Sequence, residues 1–138
     1  MAIETTILNH LVFNEEYSRK VIPFLKDDYF KDQQDRVIFQ LVTQYVAKYN
    51  SFPSKEALAI DLSNKEGISE ETFKNCKALI TSFQEDKATK IDWLLDQTER
   101  FCQDKAIYNA IMASIGILDD SSGKTSKGAI PQILSLIH

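Results

Sequence analysis

Residues 7–30, ILNHLVFNEEYSRKVIPFLKDDYF, carry the densest fold information in the chain. Ile7, Leu8, Leu11 and Val12 recur at three- and four-residue intervals, the period of a helix with one buried stripe. Asn14 is placed to cap a second short helix whose apolar positions include Tyr17, Val21 and Ile22. Pro23 lacks an amide hydrogen and closes that segment, so Phe24 and Leu25 are expected to turn inward. Tyr29 and Phe30 lead to Asp32, the expected cap of a longer helix with Val37, Ile38, Leu41, Val42, Tyr45, Val46 and Tyr49 on one face. Nothing in residues 7–30 assembles a reactive centre. The stretch specifies shape, which points to a protein that works by presenting a surface.

Reading outward, the helical period persists. Residues 50–53 break it, and Ser54 can cap a short helix carrying Leu58 and Leu62. Gly67 closes the next loop. Ser69 is an N-cap for a helix over 70–83, with Glu70 and Glu71 at its positive end and Ile68 and Phe73 spaced as a hydrophobic staple. Phe73, Cys76, Leu79, Ile80 and Phe83 are its expected core positions, and residues 84–90 form a polar connector.

Residues 92–118 contain no proline and would make a helix about 40 Å long at 1.5 Å per residue. Leu94, Phe101, Tyr108 and Ile115 recur every seven positions, with Leu95 and Cys102 beside the first pair and Ile111 and Leu118 in adjacent rows. That spacing suits packing against another long helix. Trp93, near its start, reads as a packing anchor. After the polar loop DDSSGKTSK at 119–127, Pro131 suits the first turn of another helix with Ile133, Leu134 and Ile137 on its apolar face. The expected fold is all-α. A compact helical head with its connector occupies 1–90, and a helical hairpin occupies 91–138 with its second arm cut short at His138. The chain is expected to be a piece of a longer protein.

At 138 residues the chain has the size of one ordinary domain, and its 43% apolar and 26% charged composition is globular. Four glycines and three prolines are too few for a loop-rich β-sandwich or a disordered segment. A net charge of −4 weighs against autonomous nucleic-acid binding, and no basic run marks a local patch. Direct DNA binding therefore ranks below protein contacts. Cys76 and Cys102 fall at helical apolar positions and read as reduced core thiols. The N-terminus lacks a basic region followed by a long apolar run, and no apolar stretch is long enough to span a bilayer. The expected setting is cytoplasmic.

Candidate chemistry is thin. Gly123, Lys124 and Thr125 echo a phosphate-binding loop, but Leu118 stands where the required earlier glycine would be, and a predicted helix rather than a strand precedes them. A structural turn is the expectation. His10 lies beside an apolar face with no acidic partner nearby in sequence, so it reads as a partly exposed surface or packing residue, and His138 is terminal. Asp27, Asp28 and Asp32 lack the ordered ligand series of a calcium loop and read as a solvated turn. Tyr45 and Tyr49, with Phe52 nearby, are expected to pack, with an interface or a base-stacking platform as alternatives. No catalytic, cofactor-binding or metal-ligating residue is assigned.

The order of these features, rather than any single motif, resembles the N-terminal domain of T-even-type phage replicative DNA helicases, within the DnaB-type helicase family. The series is ILNHLVFNEEYSRKVIPFLKDDYF, then PSKEAL at 53–58, ERFCQDKAIYNAIM at 99–112 and GAIPQI at 128–133. The resemblance implies a collar domain whose paired hairpins support hexamer assembly and primase docking, with a helicase loader as a further partner. It places the candidate assembly or partner interface at Phe101, Tyr108, Ile111 and Ile115, with Arg100 and Lys105 as charged positions for partner selection. This fragment is expected to be non-catalytic. The intact parent would be an ATP-dependent helicase acting in the cytoplasm of the infected bacterial host. Its motor domain, absent here, would bind ATP or another NTP with Mg²⁺ and engage single-stranded DNA. The alternative is a stand-alone phage adaptor or regulatory interaction module ending naturally at His138.

Overall fold

A computed structural model describes residues 2–121 of the chain. Among the described residues there are six α-helices and no strand: α1 Ile3–Phe13, α2 Glu15–Val21, α3 Gln33–Tyr49, α4 Lys55–Asn64, α5 Glu70–Ser82 and α6 Ile91–Ser121. Two 3₁₀ turns, Ile22–Phe24 and Asp27–Tyr29, join α2 to α3. The all-α expectation holds. The turn at Gly123–Thr125 and the second hairpin arm at 131–138 lie outside the described residues. The chain divides into two compact units, residues 1–98 and 99–138, and the division falls inside α6.

In the first unit, α3 is the central helix, packed by α1, α4 and α5, while α4 also packs on α5. Asn14 makes the corner between α1 and α2. Its backbone amide donates to the His10 carbonyl at 2.9 Å, ending α1, and its side-chain oxygen accepts from the Tyr17 amide at 2.9 Å, starting α2. The wholly buried Ser18 hydroxyl lies within bonding distance of the Leu11 and Asn14 carbonyls, at 3.0 and 2.8 Å. One residue thus serves two helix ends whose polar groups would otherwise be orphaned. Ser54 and Ser69 cap α4 and α5 as expected, accepting from the Ala57 and Thr72 amides.

Three expectations are corrected. Asp32 stands at the N-cap of α3, but its side chain caps no helical amide; only its backbone carbonyl takes part, accepting from the Arg36 amide. Phe24 does not turn inward: it is 70% exposed, because the 3₁₀ turn at Pro23 rotates Leu25 into the core in its place. Trp93 is 52% exposed rather than an enclosed anchor. Loop 25–32 is held from α3 instead, by the Arg36 guanidinium donating to the Phe30 carbonyl at 3.2 and 3.0 Å and the Gln40 amide donating to Asp27 at 2.9 Å.

Ile7, Leu8, Leu11, Tyr17, Phe30, Ile38, Val42, Leu58, Cys76 and Leu94 are fully buried and draw on all six helices and the loop before α3. Cys76 and Cys102 are free thiols, and burial pushes both up to about 11, so both stay protonated at neutral pH. At the end of α5 the Lys55 ammonium donates to the Thr81 and Phe83 carbonyls, both at 2.8 Å, and supplies the cation that a helix C-terminus favours. Lys55→Met keeps the apolar stem and removes both bonds. It should lower stability by about 2 kcal/mol, at about 1 kcal/mol for each of the two bonds, read as a fall in the urea midpoint at unchanged slope.

Candidate functional site

The second unit is carried by the later part of α6. The seven-residue row changes character along this helix: Leu94 is 0% and Phe101 6% exposed, whereas Tyr108 and Ile115 are 58% and 45% exposed. Ile107, Ile111 and Met112 are exposed as well, so positions 107, 108, 111, 112 and 115 form one apolar band at helical spacing. Solvated apolar residues grouped in this way mark a contact surface more often than isolated ones do.

Of the sequence-derived candidates, Tyr108, Ile111 and Ile115 lie on this band. Arg100 is exposed a turn or two before it, and Lys105 is half-buried with its ammonium 5.9 Å from the centre of the Phe101 ring and 6.0 Å from that of Tyr108. Such contacts hold a long cationic side chain along the aromatic surface while its charge stays at the edge. Phe101 differs from the others, being already buried in the single chain. Ile107 and Met112 extend the band and were missed in the sequence, because they fall outside the strict seven-residue repeat.

A cleft of about 590 Å³ in the first unit holds an arrangement that approaches chemistry, and sequence reading did not find it. His10 is not partly exposed but buried, at 2%. Its Nδ1 lies 2.9 Å from the Thr6 carbonyl, which can only accept, so Nδ1 carries a proton. Nε2 points toward the Asp86 carboxylate at 3.7 Å and has no hydrogen-bond partner among the described residues. The missing acidic partner thus arrives from the connector, 76 residues later in the chain.

That connector is well fixed. The Asn9 side chain donates to the Gln84 carbonyl at 2.9 Å and accepts from the Gln84 amide at 3.0 Å, as a paired strand would. Asp86 accepts from the Ala88 and Thr89 amides and the Thr89 hydroxyl. These bonds, led by the Thr89 hydroxyl, hold the Asp86 carboxyl below its ordinary value, and His10 adds a smaller contribution. Among the described hydroxyls that line the cleft, those of Thr6, Ser82 and Thr89 donate to the Ala2 carbonyl, the Leu79 carbonyl and Asp86, so none of these three is held on the imidazole as an activated nucleophile would be. Among the described residues no cluster of three or more His, Cys, Asp or Glu could hold a metal ion. None of their helices is long and apolar enough to cross a membrane.

Fold and surface together define an all-α protein whose clearest outward feature is an apolar band on a long helix. Comparison supplies the relationship. No family model matches the chain. The DnaB-like replicative helicase of Enterobacteria phage T4 is 32% identical to it over 136 residues, an alignment covering 93% of this chain and 28% of the helicase. The chain is therefore a homologue of a DnaB-like replicative helicase, and the family resemblance read from the sequence is borne out. It spans little more than a quarter of that relative's length.

Proposed function

We propose that this chain is the N-terminal collar domain of a phage replicative DNA helicase, with a head over 1–90 and a helical hairpin over 91–138. In this reading hairpins of neighbouring subunits pair, support a hexameric ring and offer primase a docking surface, with a helicase loader as a further partner. Hydrolysis of ATP or another NTP with Mg²⁺, and the pulling of single-stranded DNA, belong to a motor domain outside this chain. The setting is the cytoplasm of the infected bacterial host.

The observation that carries the proposal is the exposed apolar band on α6 in a chain related to a helicase. Fully burying an aliphatic or aromatic side chain contributes about 1.5–3 kcal/mol, whereas association of two bodies costs about 4–15 kcal/mol before any contact gains. Five partly exposed residues therefore make a weak pair in isolation and a stable one when several such contacts close a ring. Phe101, already buried, has little area left to contribute, so Tyr108, Ile111 and Ile115 would supply the contact energy. Arg100 and Lys105 would act on orientation and partner choice.

The test is a sedimentation series over protein concentration, with the helicase-length protein bound to ATP and Mg²⁺ and with the 138-residue chain alone. The expected result is a closed oligomer for the former and at most weak dimers for the latter. A helicase-length protein that stays monomeric with nucleotide bound would remove the collar reading.

A further inference from the structure

A second concavity in the first unit, about 440 Å³, lies where the start of α1, the start of α3 and the middle of α5 come together. Its charged lining is acidic only: Glu4, Asp32 and Asp35, with Gln34 and Asn75 providing side-chain amides. Asp35 is 5% exposed, and among the described residues nothing donates a hydrogen bond to its carboxylate and no cation pairs with it. Glu15, Glu16 and Glu70, all solvated, each have a basic partner one turn away, in Arg19, Lys20 and Lys74. Asp35 has no such partner among the described residues although it is only 5% exposed, and its carboxylate oxygens keep what solvent contact they have through the concavity they line.

Burial pushes the Asp35 carboxyl up to about 6, and the neighbouring Asp32 and Glu4 charges add to the rise. At neutral pH the group is still largely an anion, held in a site that disfavours it. Its place in the first turn of α3 offsets part of that cost through the helix dipole. A small divalent ion is a poor complement, because the three carboxylates do not form a cluster able to hold a metal. A broad, planar and weakly hydrated cation suits such a site better, since its donors can reach spaced carboxylates and amide oxygens at once.

We propose that this notch receives a guanidinium group from an arginine of a partner protein, with Asp35 as its carboxylate acceptor and Asp32 and Glu4 supplying further negative potential. The assignment does not rest on the collar reading, since every residue in it belongs to the first unit. It also gives a role to an acid whose raised pKa costs the unbound chain stability at neutral pH.

The test compares the 138-residue chain with its Asp35→Asn variant. A folded-state pKa above the unfolded value means that the stabilisation from protonated Asp35 is full below the unfolded pKa and is lost as pH rises through about 6. Asp35→Asn should therefore melt several degrees higher at pH 7.5, and the gap should narrow as pH falls to 4. The Asp35 carboxyl carbon is then followed by NMR while a short blocked peptide with one arginine is added. The same peptide with lysine, spermidine and MgCl₂ form the other arms. The arginine peptide should move the Asp35 titration midpoint down by about one unit, a tenfold preference for the ionised form, and Asp35→Asn should lose at least tenfold in affinity for it. A stronger response to spermidine or to Mg²⁺ would replace the protein arginine by a free cation and overturn the proposal. A variant less stable than the parent at pH 7.5 would make Asp35 an ordinary helix-start acid and overturn it too.

Discussion

Tyr17→Ala should destabilise the chain by about 4 kcal/mol, the usual cost of deleting a fully buried aromatic ring. Tyr17 is 0% exposed, and its hydroxyl lies 2.7 Å from that of Thr98. Thr98 has a single hydroxyl proton, which it donates to the Leu94 carbonyl at 2.7 Å, so the Tyr17 hydroxyl is the donor between the two. The ring also meets His10 edge to face, with centroids 6.0 Å apart. One side chain on α2 thereby fastens the first turns of α6. Since single domains are stable by only about 5–15 kcal/mol, a loss of this size should be plain in a urea melt. Tyr17→Phe separates packing from polarity: it keeps the ring and removes one buried hydrogen bond, so about 1 kcal/mol should be lost. An alanine variant no weaker than the phenylalanine one would show that the ring adds nothing beyond its hydroxyl, contrary to the packing account.

The second large effect concerns assembly. On the collar proposal, Ile111→Asp together with Ile115→Asp in the helicase-length protein should abolish the proposed ring while leaving the melting of the first unit unchanged. Both side chains are about half exposed in the single chain, at 49% and 45%, so introducing charge there costs the monomer little. If the band is buried between subunits, each carboxylate must instead be desolvated against an apolar partner without a counter-charge, and the penalty is several kcal/mol. Sedimentation should show monomers at concentrations where the parent is oligomeric. If the helicase-length protein has the proposed NTPase motor, its DNA-stimulated hydrolysis should fall with it. Retention of the parent's oligomer would show that the contact surface lies elsewhere on the molecule. Arg100→Ala is the companion control, because a solvated rim charge should alter partner preference and salt dependence more than the strength of pairing.

Local chemistry was legible in the sequence wherever one residue decides the backbone. Asn14, Ser54 and Ser69 cap the helices they were expected to cap, whereas Asp32, read by the same rule, does not use its side chain on α3. The long helix was equally readable, its observed span Ile91–Ser121 enclosing the expected one. Reading failed where the partner is distant in sequence. Asp86 looked like part of a featureless polar connector, and His10 like a partly exposed surface or packing residue; only the fold brings the two together. Lys55 gave no sign that its target was the end of α5, 26 and 28 residues on. Asp35 had the pattern of an ordinary first-turn acid, and no periodicity reveals that such a residue is 5% exposed with no counter-ion. On α6, periodicity found the apolar rows but could not say where along the helix they pass from buried to solvated.

The bonds between Asn9 and Gln84 and between Tyr17 and Thr98 join residues 75 and 81 positions apart, near the two ends of the first unit. The polypeptide of that unit is therefore a ring closed by side chains, with its last stitch at Thr98. Leu94 and Thr98 belong to the long helix by hydrogen bonding and to the first unit by packing. A cut at the visible break, before α6 begins, would take away the plug that fills the first unit's own core. The natural seam for excising or transplanting that unit lies inside a helix, one turn beyond Leu94, where secondary structure alone would never place it.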